Sequence, residues 1–118
     1  MLGGELRLRL ASRIDSEVNF DGDILEATLD RLVRDTQGGT IPAGTVVRGH
    51  LAQVEKVNFP NRQVVLAIRF DTMVLDGTPV PVKLVPRGKM DQRGREMIRF
   101  PGSKLVLGPE FIWRWRVQ

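Results

Sequence analysis

Glu5-Leu6-Arg7-Leu8-Arg9-Leu10 alternates without a break, so the leucines fall on one side of an extended chain and the charges on the other. That pattern predicts a strand with one face in a core and one in water. Ala11 to Phe20 has no clear period and reads as a loop, closing on the turn signal Asp21-Gly22-Asp23. Between Ile24 and Arg34 two periods compete. Asp23 as a cap, Glu26 completing a capping box, and Leu25, Leu29, Leu32 and Val33 at helical spacing describe a helix stopped by Gly38-Gly39. Period two instead sends Leu25, Ala27 and Leu29 inward and Glu26, Thr28 and Asp30 outward. On local pattern alone the helix is slightly favoured.

The stretch Ile41-Pro42-Ala43-Gly44-Thr45-Val46-Val47 is a turn followed by a strand. Pro42 fixes its own φ and pushes Ile41 into an extended conformation, while Gly44 supplies a position that accepts positive φ. Val47, Gly49 and Leu51 then share a face, and the strand runs on toward Val57. After a loop at Asn58–Arg62, Gln63 to Phe70 sends Val64, Leu66, Ile68 and Phe70 one way, the clearest core strand in the chain. Asp76-Gly77 is a hairpin signal. It leads into Pro79-Val80-Pro81-Val82-Lys83-Leu84, whose prolines each lack a ladder donor, so this strand belongs at an edge or is paired on one side only. Pro86 to Arg95 is polar, basic and aperiodic, an exposed loop. Met97–Phe100 and Lys104–Leu107 are short strand candidates separated by the turn Pro101-Gly102-Ser103. The last run places Phe111, Trp113, Trp115 and Val117 on one face and Arg114 and Arg116 on the other. The chain thus predicts an all-β fold: one domain over residues 1–118, a small barrel or sandwich of about seven or eight mainly antiparallel strands with little helix.

Composition narrows the chemistry. The 118 residues include no cysteine, which removes disulfides and thiolate metal sites, and one histidine, His50, which argues against histidine-rich metal centres. No metal or cofactor is expected. There is no apolar run of about 18 residues to span a bilayer, and Met1–Glu5 has neither the basic start nor the apolar stretch of a signal peptide. The chain enters its first strand at once, as a chain trimmed of its leader would. The net charge of +4 is uneven: up to Val85 there are 10 basic and 11 acidic side chains, and from Pro86 onward 8 basic and 3 acidic.

The candidate partner-binding residues are Arg87, Lys89, Arg93, Arg95 and Arg99, a basic group suited to an anionic surface though interrupted by Asp91 and Glu96. Pro42, Gly44, Asp76 and Gly77 are structural turn residues. Trp113-Arg114-Trp115-Arg116 tempts a single-strand nucleic-acid reading. Alternation, however, hides the rings in the core and leaves the guanidinium groups in water, so nucleic acid is disfavoured. His50 lies opposite the apolar set with no cysteine or serine elbow beside it, and Asp21 and Asp23 are explained by turn chemistry more simply than by calcium. No phosphate loop, dinucleotide fingerprint or metalloprotease helix occurs. No catalytic residue is expected, and an enzyme is not the reading.

Taken in order, Leu6–Leu10, Asp21-Gly22-Asp23-Ile24-Leu25-Glu26-Ala27-Thr28-Leu29, Ile41-Pro42-Ala43-Gly44-Thr45-Val46-Val47-Arg48-Gly49, and Phe70 through Asp76-Gly77 to Val82 form a recognisable series. The series resembles exported bacterial β-barrel domains of unknown function and, more distantly, the TrbI-like scaffold subunits of type IV secretion and conjugation machines. The resemblance implies a mostly-β barrel, a periplasmic or envelope location and a scaffolding role, and it tips Ile24–Leu32 toward strand. Those scaffolds carry an apolar helical insertion where this chain has the polar Pro86–Arg95, and no functional residue transfers, because the matching motifs are turns and core strands. The expectation is a non-catalytic binding or assembly module of the cell envelope, meeting a protein partner or a second copy through an edge strand. The alternative is a small OB-like nucleic-acid-binding barrel.

Overall fold

The structure, a computed structural model, describes residues 5–34, 38–86 and 97–117. Its strands are β1 (Glu5–Leu10), β2 (Ile14–Asp15), β3 (Ile24–Leu29), β4 (Val33–Arg34), β5 (Thr40–Ile41), β6 (Val46–Val57), β7 (Gln63–Leu75), β8 (Thr78–Pro86), β9 (Ile98–Pro101), β10 (Val106–Leu107) and β11 (Ile112–Val117). Six of them, β1, β3, β6, β7, β8 and β11, run in sequence order round a closed barrel, each antiparallel to the next. An up-and-down meander with an even number of strands can close on an antiparallel pair, and β11 does so against β1, from Glu5 opposite Arg116 to Arg9 opposite Ile112. This is a meander, not the five-stranded Greek key of an OB fold. β9 adds to β7 beyond the barrel along Gln63–Leu66.

Ile24–Leu29 is a strand, and the helical alternative for Ile24–Arg34 is set aside. Leu25, Ala27 and Leu29 are 1 to 2 % exposed, as period two requires, whereas Leu32, which a helix would turn to the core, is 54 % exposed. Two waiting ladders outweigh the local helical spacing: β3 is paired by β1 on one side and β6 on the other. The loop expected over Ala11–Phe20 contains β2, which pairs with β10 and buries Ile14 completely. Ser16, the buried polar residue beside it, donates its N–H to the Leu105 carbonyl at 2.8 Å and accepts the Leu105 N–H on its hydroxyl at 2.9 Å.

Both expected turns form. Gly44 adopts φ 89° and donates to the Leu29 carbonyl at 2.8 Å, while the Thr45 hydroxyl donates to the Pro42 carbonyl at 2.8 Å, so the turn docks on the end of β3. Asp76 and Gly77, at φ 50° and 77°, both take the left-handed conformation of a two-residue type I′ hairpin between β7 and β8.

That hairpin also orients the prolines. Leu75 and Thr78 flank the turn, and the first carbonyl of such a turn accepts the fourth N–H, which makes them a hydrogen-bonded pair. Alternation along an antiparallel ladder then makes Val74–Pro79 and Thr72–Pro81 non-hydrogen-bonded pairs. Pro79 and Pro81 therefore stand where their missing donors would have faced away from β7. On that side β8 meets β11 only from Leu84 to Pro86, so among the described residues the stretch before it is an open edge, and the prolines deprive it of donors.

Trp115, 2 % exposed, meets Phe70 edge-to-face at 4.8 Å in the barrel core. β7 buries two faces where alternation suggested one. Val64, Leu66, Ile68 and Phe70 fill the main core, while Val65 and Ala67 form a second cluster with Met97. At Gly49 a β-bulge brings β6 so close to β7 that an added Cβ would lie 1.9 Å from the Arg69 carbonyl oxygen.

Candidate interaction surface

Leucines, branched residues and Trp115 fill the barrel, while Trp113, expected in the core with it, is only half-buried against that core. The cavity left among residues such as Leu8, Leu10, Phe70 and Trp115 is about 10 Å³, room for at most about one water. Pockets that take small molecules are of order 300–1,000 Å³. Among the described residues the barrel interior at this cavity has no room for a ligand, which turns attention to the outer wall and the edges.

On the outer wall the β1–β11 register sets Arg7 directly opposite Arg114, with Glu5 opposite Arg116 on one side and Arg9 opposite Ile112 on the other. An open groove of about 370 Å³ lies here, lined by Arg7, Ile112, Trp113 and Arg114. Carboxylates are distributed unequally along it. Arg9 is held by Asp30 at 3.0 Å and Glu110 at 3.2 Å, both hydrogen-bond lengths. Arg7 reaches Asp30 only at 3.8 Å and Arg114 reaches Glu5 only at 3.6 Å, ion-pair contacts too long for hydrogen bonds.

Of the basic residues singled out from sequence, Arg99 is exposed on β9 opposite Val65. Arg87, Lys89, Arg93 and Arg95 lie outside the described residues. The alternation that put Arg114 and Arg116 outward was legible in the sequence. That Arg7 would stand beside Arg114 was not, since it needs the pairing of the first strand with the last.

His50 is half-exposed on the outer wall with its Nδ1 3.7 Å from Asp71, and the Thr72 hydroxyl donates to the other Asp71 oxygen at 2.9 Å. The hydroxyl is thus tied to the carboxylate and not to the imidazole, the wrong order for a histidine-activated nucleophile. Asp21 accepts the Val54 N–H at 2.9 Å, and Asp23 accepts from the Asn19 side-chain amide at 2.9 Å and the Phe20 N–H at 3.0 Å. Those two donors, the amide first, hold the Asp23 carboxyl below its ordinary pKa of 3.8. Among the described residues no three His, Cys, Asp or Glu side chains converge to hold a metal, and no helix is long and apolar enough to cross a membrane. No family model, curated protein or solved structure matches the chain.

Proposed function

We propose that this domain is a non-catalytic binding and assembly module of the bacterial cell envelope, working within a secretion-type complex and meeting a protein partner on its outer wall. The filled barrel carries this reading, because it leaves the surface as the place where recognition happens. The envelope location rests on the order of the sequence motifs. The donor-poor edge of β8 favours a face as the contact over strand addition from Thr78 to Pro81. In-cell photocrosslinking from position 110, exposed at the end of the row of charges on the outer wall, combined with fractionation, tests the reading. A discrete protein adduct in the envelope fraction is expected; a chain confined to the cytosolic fraction and crosslinked to nucleic acid would overturn it.

The second reading, a small nucleic-acid-binding barrel, has the basic excess in its favour. It requires that a labelled single strand bind at low salt and release steeply as salt rises.

A further inference from the structure

We infer that the groove between Arg7 and Arg114 is a carboxylate-recognition site for a short acidic peptide segment of a protein partner, an inference that rests on the module reading above. Two like charges directly opposite each other on one sheet face oppose the pairing of their strands. Such a pair is normally quenched by close carboxylates. Here Asp30 sits nearer to Arg9 than to Arg7, and Glu5 stays 3.6 Å from Arg114, so neither guanidinium at the centre of the row is hydrogen-bonded to a carboxylate. With side-chain exposures of 32 % and 59 %, both are open to an incoming group. A carboxylate placed between them takes two charge-assisted contacts at once and relieves their repulsion.

The surroundings choose the class of ligand. Ile112, next to Arg114 on the same face and opposite Arg9, also lines the groove, an apolar contact for the residue beside the acidic one. Glu5 stands at one end of the row and Glu110, 93 % exposed, at the other. A continuous phosphate backbone lying along the strands would run into both, whereas one carboxylate entering across them meets only Glu5, beside Arg114. The fit is to a short segment carrying Asp or Glu next to an apolar side chain.

The test uses the full chain and a capped peptide alternating glutamate and leucine, followed by NMR titration. Saturable binding is expected, with shifts centred on Arg7, Ile112 and Arg114 and with affinity falling as salt rises. Arg7→Gln and Arg114→Gln should each weaken binding about tenfold or more, and Arg7→Lys, which keeps the charge but loses the fork, should fall between. Arg48→Gln, on β6 and paired with Glu26 at 3.3 Å, should bind as the parent does. Far-UV CD of each variant confirms that it is folded. No saturable binding by the parent, equal loss in Arg48→Gln, or tighter binding of a single-stranded oligonucleotide in the same groove would overturn the inference. A protein adduct in the envelope without peptide binding would sink the groove and leave the module; peptide binding by a cytosolic chain would do the reverse.

Discussion

Gly49 is the residue on which the barrel wall is least forgiving. A methyl group there would collide with the backbone of Arg69 and Phe70, neither of which is a flexible chain end. Gly49→Ala should therefore destabilise by about 1–3 kcal/mol or more, read as a lower midpoint in chemical denaturation; an unchanged midpoint would show that the bulge relaxes freely. Ser16→Ala leaves the Leu105 N–H without its acceptor and should cost about 1–3 kcal/mol by the same measurement. Asp23 gives a pH signature. Its folded pKa lies below 3.8, so it contributes stability above the unfolded value, and that contribution is lost as pH falls through the folded one. Asp23→Asn should thus be less stable than the parent near neutrality, with the gap closing in acid below about pH 4. A gap that widens on acidification would contradict the assignment.

At the scale of elements, β8 shows how local chemistry guards an edge. Pro79 and Pro81 occupy outward-facing ladder positions, so replacing both by Thr restores two donors and supplies β-branched side chains suited to a strand. The double variant should self-associate with rising concentration, seen by sedimentation, under conditions where the parent does not. The prolines were visible in the sequence, but which way their nitrogens faced depended on the Asp76-Gly77 turn, which sets the register. β3 teaches the opposite lesson. Its residues satisfy a helical stripe as well as a strand, and only the ladders offered by β1 and β6 decided between them. β2 left no periodic trace, since two residues are too few to show a period.

The described residues extend over 47 × 26 × 21 Å, their length continued past the barrel by the β6–β7 ribbon with β9 alongside. Closure joins Glu5–Arg9 to Ile112–Arg116, so the barrel cannot be completed until the two terminal strands meet. Loop closure over such a span precedes any gain from the contacts it makes, and folding should take milliseconds to seconds. Stopped-flow refolding followed by the fluorescence of Trp113 and Trp115 together would show this, and relaxation in microseconds would contradict it.

For β1, β7 and β11, though not for β2 or β3, strand identity was written in the chain itself, and so was the turn chemistry. A period of two in Leu6–Leu10, Val64–Phe70 and Phe111–Val117 needs no partner to be read, and neither does the demand for positive φ at Gly44 or Gly77. Tertiary structure alone decided that β7 would bury both faces, that Gly49 would touch a neighbouring backbone, and that Arg7 would stand against Arg114. Those outcomes depend on which strands lie side by side, and pairing is a contest among the chain's strands, settled by the core they close together.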